Sequence, residues 1–356
     1  MDRFAELTEL LDHFLQLGVP FYDCMVMKDG ACVYRHANGY TDPGKTVRVT
    51  GKERYHLYSC TKLITCTAAL QLYECGAFRL DDPLCLYLPE FSRMTVRGKG
   101  GVVPAKNPII IRHLFTMTAG LSYDLHSPML ERCRTETHGE CPTRETMKYL
   151  AQEPLLFEPG ERWEYSLCHD VLAALVEVLA GQPFGRYVKE HIFDVCGMGH
   201  STFDAACDLT PQYDCQGGVI REQNGNVYRL GTRYESGGAG AISTLEEYIA
   251  FLEGIRTYRL LRKETVDLLS TNQLTREQIE MPEYWVFRKR GYGLGQECPW
   301  EGDSMPGFGW GGAAGARYFV DCKNGITAYL GTHILHLGTY QQARCRLQEV
   351  VQGILV

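Results

Sequence analysis

A serine and a lysine three positions apart, Ser59 and Lys62, lie in a stretch of mostly apolar or small residues, "LYSCTKLITCTAALQLYECG". Between Ser59 and Gly76 the only other charged residue is Glu74. The apolar and small residues cover most of a helical surface, which predicts a helix enclosed by protein. An ammonium group in such a helix is costly unless it is paired or deprotonated, so the burial of Lys62 requires a chemical explanation.

The spacing of this pair suits nucleophilic catalysis. Residues three apart on a helix share a face, so the hydroxyl and the amine can reach hydrogen-bonding distance. A hydroxyl at the start of a helix lies where main-chain N–H groups stabilise an anion. An apolar setting lowers the pKa of a lysine, which can then accept a serine proton. The pattern therefore predicts a nucleophile, Ser59, and its activator, Lys62, although such a match also arises by chance on solvated helices.

Segments with β-strand patterns lie near both ends of the chain. Near the N-terminus, "FYDCMVMKDG" and "ACVYRHANGY" meet at a Lys-Asp-Gly turn, which is typical of a hairpin. Near the C-terminus, "GARYFVDCKNGITAYLGTH" carries an Asn-Gly turn at Asn324 and Gly325. From Phe78 to about Tyr234 the pattern changes to helices and long loops. We therefore expect one sheet assembled from both ends of the chain, with a helical insertion.

Further helices are expected around this sheet. The N-terminal "MDRFAELTELLDHFLQLG" has apolar residues at helical spacing, and "TYQQARCRLQEVVQGIL" is interpreted as a closing helix. Ser243 and Glu246 form a capping-box pattern at the start of another helix. Gly181 is expected at the C-terminal cap of "HDVLAALVEVLAGQ".

The composition argues against several classes of function. The chain has 356 residues, 45% of them hydrophobic, and a net charge of −7 with short, isolated basic clusters, so we expect a large core and no nucleic-acid partner. No segment is apolar for the length of a membrane span, and the acidic N-terminus lacks the charge order of a signal peptide, so we expect no membrane association. The cysteines number 15, an odd count that fits free thiols in a reducing cytoplasm.

One cluster of residue types that bind metals raises the alternative of a zinc site. Cys133, His138 and Cys141 lie close together in "CRTETHGEC". Their spacing is irregular and no matching ligand pair stands elsewhere in the sequence. We therefore predict no metal and no cofactor.

Five segments, taken in order, resemble a known family. They are "YSCTKLITCTAALQLYECGAFRLDDPLCLYLPEF", "IIIRHLFTMTAGL", "LLFEPGERWEYSLCHDVLAALVEVLAGQPF", "GGAGAISTLEEY" and "GFGWGGAAG". Together they resemble the serine hydrolases that share a fold with penicillin-binding proteins and class C β-lactamases, and most of all the esterase branch of that family. The resemblance implies an antiparallel sheet flanked by N- and C-terminal helices, with an inserted, mainly helical domain. The expected α/β domain covers residues 1–77 and 236–356, the helical domain covers 78–235, and the active site lies in the cleft between them.

The resemblance also assigns roles to individual residues. Ser59 would be the acylated nucleophile, Lys62 the proton acceptor, and Tyr165 the tyrosine that moves protons between the serine and the leaving group. The N–H groups of Ser59 and Ala313 would form the oxyanion hole. The third motif would be "WGG", Trp310, Gly311 and Gly312, on a strand that lines the opposite wall. Lys62 and Tyr165 are expected to titrate as a coupled pair.

Two positions depart from the pattern of the penicillin-binding relatives. The usual polar third residue of the second motif is Leu167, and the usual Lys or His of the third motif is Trp310. Both changes resemble those of family esterases and acyltransferases. The resemblance therefore implies a cytoplasmic serine hydrolase, a carboxylesterase or acyltransferase, that forms acyl-Ser59 from a small-molecule ester.

Four aromatic residues are candidates for the substrate pocket, and two other functions stay open. The pocket candidates are Tyr123, Tyr234, Trp285 and Phe308. The first alternative is a D-amino-acid peptidase, amidase or β-lactam hydrolase, for which Arg317 would be the cation that holds a substrate carboxylate. The second is a non-catalytic binding or assembly module that keeps the fold, which Leu167 leaves possible. No oligomeric state is predicted.

Overall fold

A computed structural model describes residues 3–281, 290–301 and 306–356. The chain begins with a helix, a hairpin, a short strand and a second helix: α1 Ala5–Gln16, β1 Phe21–Lys28, β2 Ala31–Gly39, β3 Arg54–His56 and α2 Thr61–Glu74. The hairpin turns at Asp29 and Gly30, whose φ angles of 51° and 84° are the left-handed values that a tight two-residue turn requires. The hairpin predicted at this Lys-Asp-Gly turn is confirmed.

The middle of the chain is mainly helical and contains two short hairpins. Its elements are β4 Thr95–Gly98, β5 Gly101–Pro104, α3 Ile111–Phe115, α4 Pro128–Glu136, α5 Thr143–Leu150, α6 Cys168–Ala180, α7 Phe184–Val188, α8 Asp194–Cys196, β6 Gln212–Gln216 and β7 Val219–Gln223. Helix α6 ends at Gly181 with φ 64°, so the predicted glycine cap is confirmed.

The last part of the chain returns to strands and closes with helices. Its elements are β8 Ile242–Thr244, α9 Leu245–Arg256, α10 Lys263–Ser270, α11 Arg276–Ile279, β9 Gly291–Tyr292, β10 Glu297–Cys298, β11 Phe308–Gly311, β12 Arg317–Asp321, β13 Ile326–Gly331, β14 Ile334–Leu335, α12 Gly338–Ala343 and α13 Arg346–Leu355. The predicted Asn-Gly turn joins β12 to β13, with Gly325 at φ 65°.

Two local predictions were wrong in this region. The cap of α9 is Thr244, whose side chain accepts a hydrogen bond from the N–H of Glu247, and not Ser243. The hydroxyl of Ser243 is engaged elsewhere, in a 2.7 Å hydrogen bond with the hydroxyl of Ser201. The single closing helix is two helices, α12 and α13, which are separated at Arg344, where the guanidinium turns towards main-chain carbonyls.

One antiparallel sheet joins the two ends of the chain, as predicted. Its strand order is β2-β1-β13-β12-β11-β10-β9, and each neighbouring pair is antiparallel. Strand β1 lies beside β13, so the N-terminal hairpin closes onto the C-terminal strands. The pairing of Trp310 with Tyr318 and of Gly311 with Arg317 sets the register of β11.

Helix α2 is enclosed on all sides over its first ten residues. Every residue from Thr61 to Leu70 is buried, including Lys62. Cys66 of α2 meets His169 of α6, with Sγ and Nε2 3.7 Å apart, so the helix lies against the inserted helices as well as the core of the sheet. This enclosure explains why α2 has no polar face. Among the described helices, none is both long enough and apolar enough to cross a membrane.

Candidate active site

Ser59 lies in a tight turn immediately before α2. The turn, Tyr58–Cys60, is a 3-10 helix, and α2 itself starts at Thr61. One residue, Cys60, therefore separates Ser59 from the helix. Tyr58 has φ 47°, a left-handed conformation that bulky residues rarely adopt. Its buried ring and a 2.7 Å hydrogen bond from its hydroxyl to Gln212 Oε1 hold it there. Strain of this kind persists where the surroundings fix a functional side chain, and Ser59 faces a large cavity.

The amine of Lys62 is fully buried between the serine and two tyrosine rings. Lys62 Nζ donates to Ser59 Oγ at 3.3 Å and to the carbonyl oxygen of Gly238 at 2.8 Å. It also lies 4.6 Å from the ring centroid of Tyr165 and 5.6 Å from that of Tyr123. The carbonyl and ring-face contacts fix the amine beside the serine oxygen.

Tyr165 brings a second acid–base group to the same oxygen. Its hydroxyl donates to Ser59 Oγ at 2.6 Å, and the indole Nε1 of Trp310 donates to the Tyr165 oxygen at 3.4 Å. The Tyr165 ring is stacked between Tyr123, at 5.4 Å between centroids, and Trp310, at 5.8 Å. Because hydroxyl hydrogens rotate, these contacts can carry a proton in either direction. Ser59 Oγ therefore has two possible proton acceptors within reach.

The strand with the "WGG" sequence forms the wall beside the serine. Trp310, Gly311, Gly312 and Ala313 all line the cavity that Ser59 faces. A Cβ atom on Gly312 would lie 2.6 Å from the carbonyl oxygen of Leu57, two residues before the serine. Glycine at this position therefore lets the strand closely approach the turn of Ser59.

Asp170 is a buried carboxylate near the lysine that the motif analysis missed. It lies in the first turn of α6, and its Oδ1 accepts hydrogen bonds from Ser236 Oγ at 2.6 Å and Tyr234 Oη at 2.8 Å. A Cβ atom on Gly238 would lie 2.6 Å from Asp170 Oδ2 and 3.3 Å from Lys62 Nζ. The carboxylate and the amine are therefore about 6 Å apart or less, within range of electrostatic stabilisation in a buried setting.

The sequence did contain a signal for Asp170. In "LCHDVLAALVEVLA" the only other charged residue is Glu177, near the far end, so Asp170 is an isolated charge at the start of an apolar helix, as Lys62 is in its own helix. The neighbouring His169 is no proton carrier at neutral pH, because burial, assisted by the charge of Lys62, lowers its pKa to about 3.

The cavity has a volume of about 1110 Å³ and two kinds of wall. The aromatic part consists of Tyr123, Tyr165, Tyr228 and Trp310, and the polar part includes Arg290, Glu297, Arg317, Arg344 and Gln348. Of the predicted pocket residues, Tyr123 lines this cavity. Sequence reasoning missed Tyr228 and Arg344, which come from loop and helix segments without a recognisable motif.

The other predicted pocket residues lie elsewhere. Phe308 is 1% exposed and packs in the core, and among the described residues it does not line the cavity. Tyr234 is buried too; its hydroxyl binds Asp170, and its ring lines a separate cleft. Trp285 lies outside the described residues. Within the described ranges, no group of three or more His, Cys, Asp or Glu side chains is placed to hold a metal ion.

This chain is similar in sequence or structure to esterases and acyltransferases. Esterase EstB from Burkholderia gladioli is 28% identical over 362 residues, which cover 92% of this chain and 89% of EstB. Acyltransferase calJ from Penicillium decumbens is 32% identical over 236 residues, covering 61% of this chain and 56% of calJ. The structure of EstCE1, described as a hydrolase with promiscuous acyltransferase activity, superposes with a TM-score of 0.80 at 22% identity and 98% coverage of each chain, a likeness that shows the fold.

A model of one protein family spans almost the entire chain. The beta-lactamase family model matches residues 7–351, which include the turn of Ser59, the second-motif tyrosine and the "WGG" strand. This chain therefore belongs to the beta-lactamase family.

Proposed function

We propose that this chain is a serine ester hydrolase that cleaves small esters through an acyl-Ser59 intermediate and passes the acyl group to water or to an alcohol. One observation carries the proposal: Ser59 Oγ lies within hydrogen-bonding distance of both Lys62 Nζ and the Tyr165 hydroxyl, on the wall of a large cavity. The names of the relatives, an esterase and an acyltransferase, support the same chemistry.

The first half-reaction forms the acyl-enzyme. Ser59 Oγ attacks the ester carbonyl carbon while its proton passes to the Lys62–Tyr165 pair. The carbonyl oxygen becomes an oxyanion that the N–H groups of Ser59 and Ala313 stabilise. The carbon–oxygen bond to the alcohol breaks, and the proton returns from the pair to the departing alkoxide. Water or a second alcohol then attacks acyl-Ser59, and the same groups carry its proton back to the serine oxygen.

Trp310 supports the tyrosine in this scheme. Its indole N–H donates to the Tyr165 oxygen at 3.4 Å, so it favours a tyrosine oxygen with increased negative charge. The indole also stacks on the Tyr165 ring, which restricts the ring to the orientation that reaches Ser59. The neutral indole of Trp310 thus occupies the position where penicillin-binding relatives have a Lys or His. A neutral side chain there suits an ester that carries no charged group next to the reacting carbonyl.

Asp170 is the proposed replacement for the polar residue that the second motif lacks at Leu167. Leu167 is buried and carries no hydrogen-bonding side chain. Asp170 supplies a negative charge near Lys62, and Ser236 and Tyr234 fix its orientation. Asp170 is therefore a positioning residue that acts through Lys62.

We also propose the division into an α/β domain of residues 1–77 and 236–356 and a mainly helical domain of residues 78–235, with the site between them. All strands of the seven-stranded sheet fall within the first of these. The catalytic set draws Ser59 and Lys62 from the first domain and Tyr165 from the second. We place the enzyme in the cytoplasm, because no disulfide bond joins cysteines within the described ranges, as is typical of a reducing compartment.

Intact-mass measurement after brief incubation with 4-nitrophenyl butyrate tests the central proposal. The expected result is one added acyl group, located on Ser59 by peptide mapping and absent in Ser59→Ala. Ser92→Ala, which removes an exposed serine hydroxyl, should be labelled as the wild type is. Full turnover in Ser59→Ala would exclude this nucleophile, and no turnover of any ester would favour the non-catalytic binding module.

A further inference from the structure

The hairpin formed by β4 and β5 lies in a segment of the chain that has basic residues and no acidic ones. No Asp or Glu occurs between Glu90 and Asp124, although the whole chain contains 43 acidic residues and has a net charge of −7. The same segment contains five basic residues, which are Arg93, Arg97, Lys99, Lys106 and Arg112. This segment therefore differs in charge from the rest of the protein.

Four of these five cations lie on the surface without an acidic partner. Arg112 is paired with Asp81, with Nε and Oδ1 2.8 Å apart. The other four are exposed and form no ion pair within the described ranges: Arg93, Arg97, Lys99 and Lys106. Unpaired charges of one sign on a short hairpin produce a local positive potential on a protein that is acidic overall.

The outer strand of the hairpin is apolar as well as exposed. All four residues of β5 are exposed, and its two valines, Val102 and Val103, are 58% and 46% exposed. The register places Val102 opposite Arg97. Directly opposite residues of an antiparallel pair lie on the same face, so an exposed valine and an unpaired arginine share the outer face of the hairpin.

The inner strand holds the hairpin in place. The N–H of Leu155 donates to the carbonyl oxygen of Thr95 at 2.8 Å, and the N–H of Arg97 donates to the carbonyl oxygen of Leu155 at 2.9 Å. At the base, Glu158 Oε2 accepts the main-chain N–H of Lys106 at 2.9 Å. These bonds fix β4 to the rest of the protein and leave the exposed side chains of β5 and of the turn available to a partner.

We propose that this hairpin is a docking surface for a lipid membrane with anionic headgroups. Clusters of basic side chains are attracted to phosphatidylserine-type headgroups, and exposed valines beside them can enter the interface between headgroups and acyl chains. The valines favour a membrane over a nucleic acid, because single-stranded nucleic acids are bound by basic grooves with aromatic stacking residues. The cytoplasmic leaflet, which the proposed location would offer, is anionic.

This proposal differs from the sequence-based expectation of no membrane association, which considered spanning segments and signal peptides only. A surface contact requires neither, and it agrees with the finding that no described helix could cross a membrane. It is also independent of the proposed ester hydrolysis, because Arg97, Lys99, Val102 and Val103 do not line the cavity of Ser59.

Cosedimentation of the full chain with vesicles tests the docking surface. One set of vesicles is pure phosphatidylcholine, and the other contains about 30% phosphatidylserine. We expect the bound fraction to be at least ~5-fold larger on the anionic vesicles at low ionic strength, and most of this difference to disappear at about 0.5 M NaCl.

Two double variants separate the basic and the apolar contributions. Arg97→Gln with Lys99→Gln should reduce binding on anionic vesicles to within about 2-fold of that on neutral ones. Val102→Ser with Val103→Ser should weaken binding while its salt dependence remains. The control, Lys52→Gln with Lys323→Gln, removes two charges from exposed positions elsewhere and should bind as the wild type does.

The substituted side chains are exposed, so all three double variants should keep the wild-type Tm. Equal binding of the wild type to neutral and anionic vesicles would overturn the proposal, as would wild-type binding by the Arg97/Lys99 variant. Retention on immobilised heparin that depends on Arg97 and Lys99, without vesicle binding, would assign the surface to a soluble polyanion and overturn the membrane assignment.

Discussion

The hydroxyl of Tyr165 donates to Ser59 Oγ at 2.6 Å, on the same oxygen that Lys62 Nζ approaches to 3.3 Å. Two groups that can accept a proton thus contact the same serine oxygen, and each forms a further hydrogen bond that fixes its position. Trp310 Nε1 donates to the Tyr165 oxygen, and the carbonyl of Gly238 accepts from Lys62. Either group can accept a proton from Ser59, so both should be tested together.

Removal of either member of this pair should stop efficient turnover. Lys62→Ala and Tyr165→Phe should each lower kcat by ~10²-fold or more, because general acid–base steps contribute about that much. Tyr123→Phe keeps the stacked ring, and since the ring and not the hydroxyl contacts Tyr165, its loss should be far smaller. Circular dichroism should show all three variants folded. Near-normal kcat in Lys62→Ala or Tyr165→Phe would remove that residue from the mechanism.

Asp170→Asn should lower kcat roughly 10-fold, which corresponds to about 1.4 kcal/mol, because the charge near Lys62 is lost while Oδ1 can still accept hydrogen bonds. A double-mutant cycle checks that the effect passes through the lysine. In the Lys62→Ala background, Asp170→Asn should cost little further activity. Additive losses in the double variant would show that Asp170 supports the fold and does not act on Lys62.

Gly312→Ala should damage both activity and stability. The added Cβ would meet the carbonyl oxygen of Leu57 at 2.6 Å, and neither main chain can yield without moving the turn of Ser59. We expect a loss of about 1–3 kcal/mol in the free energy of unfolding, typical of overpacking, together with a large loss of kcat. Gly338→Ala is the control, because Gly338 lines the same cavity and a Cβ there meets nothing within 4 Å. Wild-type kcat and Tm in Gly312→Ala would refute the close approach.

Substrate class should separate the two enzymatic readings of the site. We expect kcat/KM for 4-nitrophenyl butyrate to exceed that for nitrocefin or a D-alanyl peptide by roughly 10- to 100-fold or more. The reason is that Trp310 presents a neutral indole beside the reacting carbonyl, and an amine is expelled less readily than an alcohol. Efficient nitrocefin hydrolysis with negligible ester turnover would favour the β-lactam or peptide hydrolase instead.

The folded chain should lose stability below about pH 6.5. Burial lowers the pKa of His56 and His113 to about 4 and of His169 and His333 to about 3, whereas in the unfolded chain these histidines bind protons near pH 6.5. The unfolded state therefore binds more protons between pH 6.5 and 4, so the free energy of unfolding falls as pH falls through that window. Tm measured from pH 7.5 to 4.5 should decline accordingly.

Asp23 opposes this trend and provides the control. Burial raises the pKa of Asp23 to about 7, so its protonated form is favoured in the folded state and its contribution to stability is lost as pH rises from about 4 to 7. Asp23→Asn removes that opposing contribution and should make the decline of Tm with acid steeper. A Tm that stays level or rises down to pH 4.5 in the wild type would contradict the assignment of neutral buried histidines.

Much of the catalytic set could be recognised from the sequence, for a physical reason. A lone lysine in an otherwise apolar helix is costly, so chemistry is the simplest explanation for Lys62, and the three-residue spacing to Ser59 is set by helix geometry. The hairpins at Asp29–Gly30 and at Asn324–Gly325 follow from residues that accept left-handed backbone angles. Residue spacing and turn residues are local features, so they can be recognised in the sequence without knowledge of the fold.

The tertiary structure decided which residues share space without sharing a motif. Tyr165 reaches Ser59 across 106 positions, and whether Phe308 or Tyr228 faces the cavity depends on the pairing and packing of distant segments. Ser243 has the pattern of a helix cap, but its hydroxyl forms a hydrogen bond with the hydroxyl of Ser201, and the cap is Thr244. A local pattern does not contain that contact, because Ser201 lies 42 positions away in the sequence.

The neighbours of the charged side chains could not be predicted from the sequence either. Asp170 and Gly238 become neighbours of Lys62 only when α6 and the segment before β8 pack against α2. Arg344 shows the same dependence: it is one basic residue among many in the sequence, and its guanidinium lies half-buried beside Gly311 only where the last two helices separate. Residue type and spacing predicted Ser59 and Lys62 as a nucleophile and its base, whereas long-range packing decided the electrostatic environment of both side chains, because burial and charge separation exist only in the folded chain.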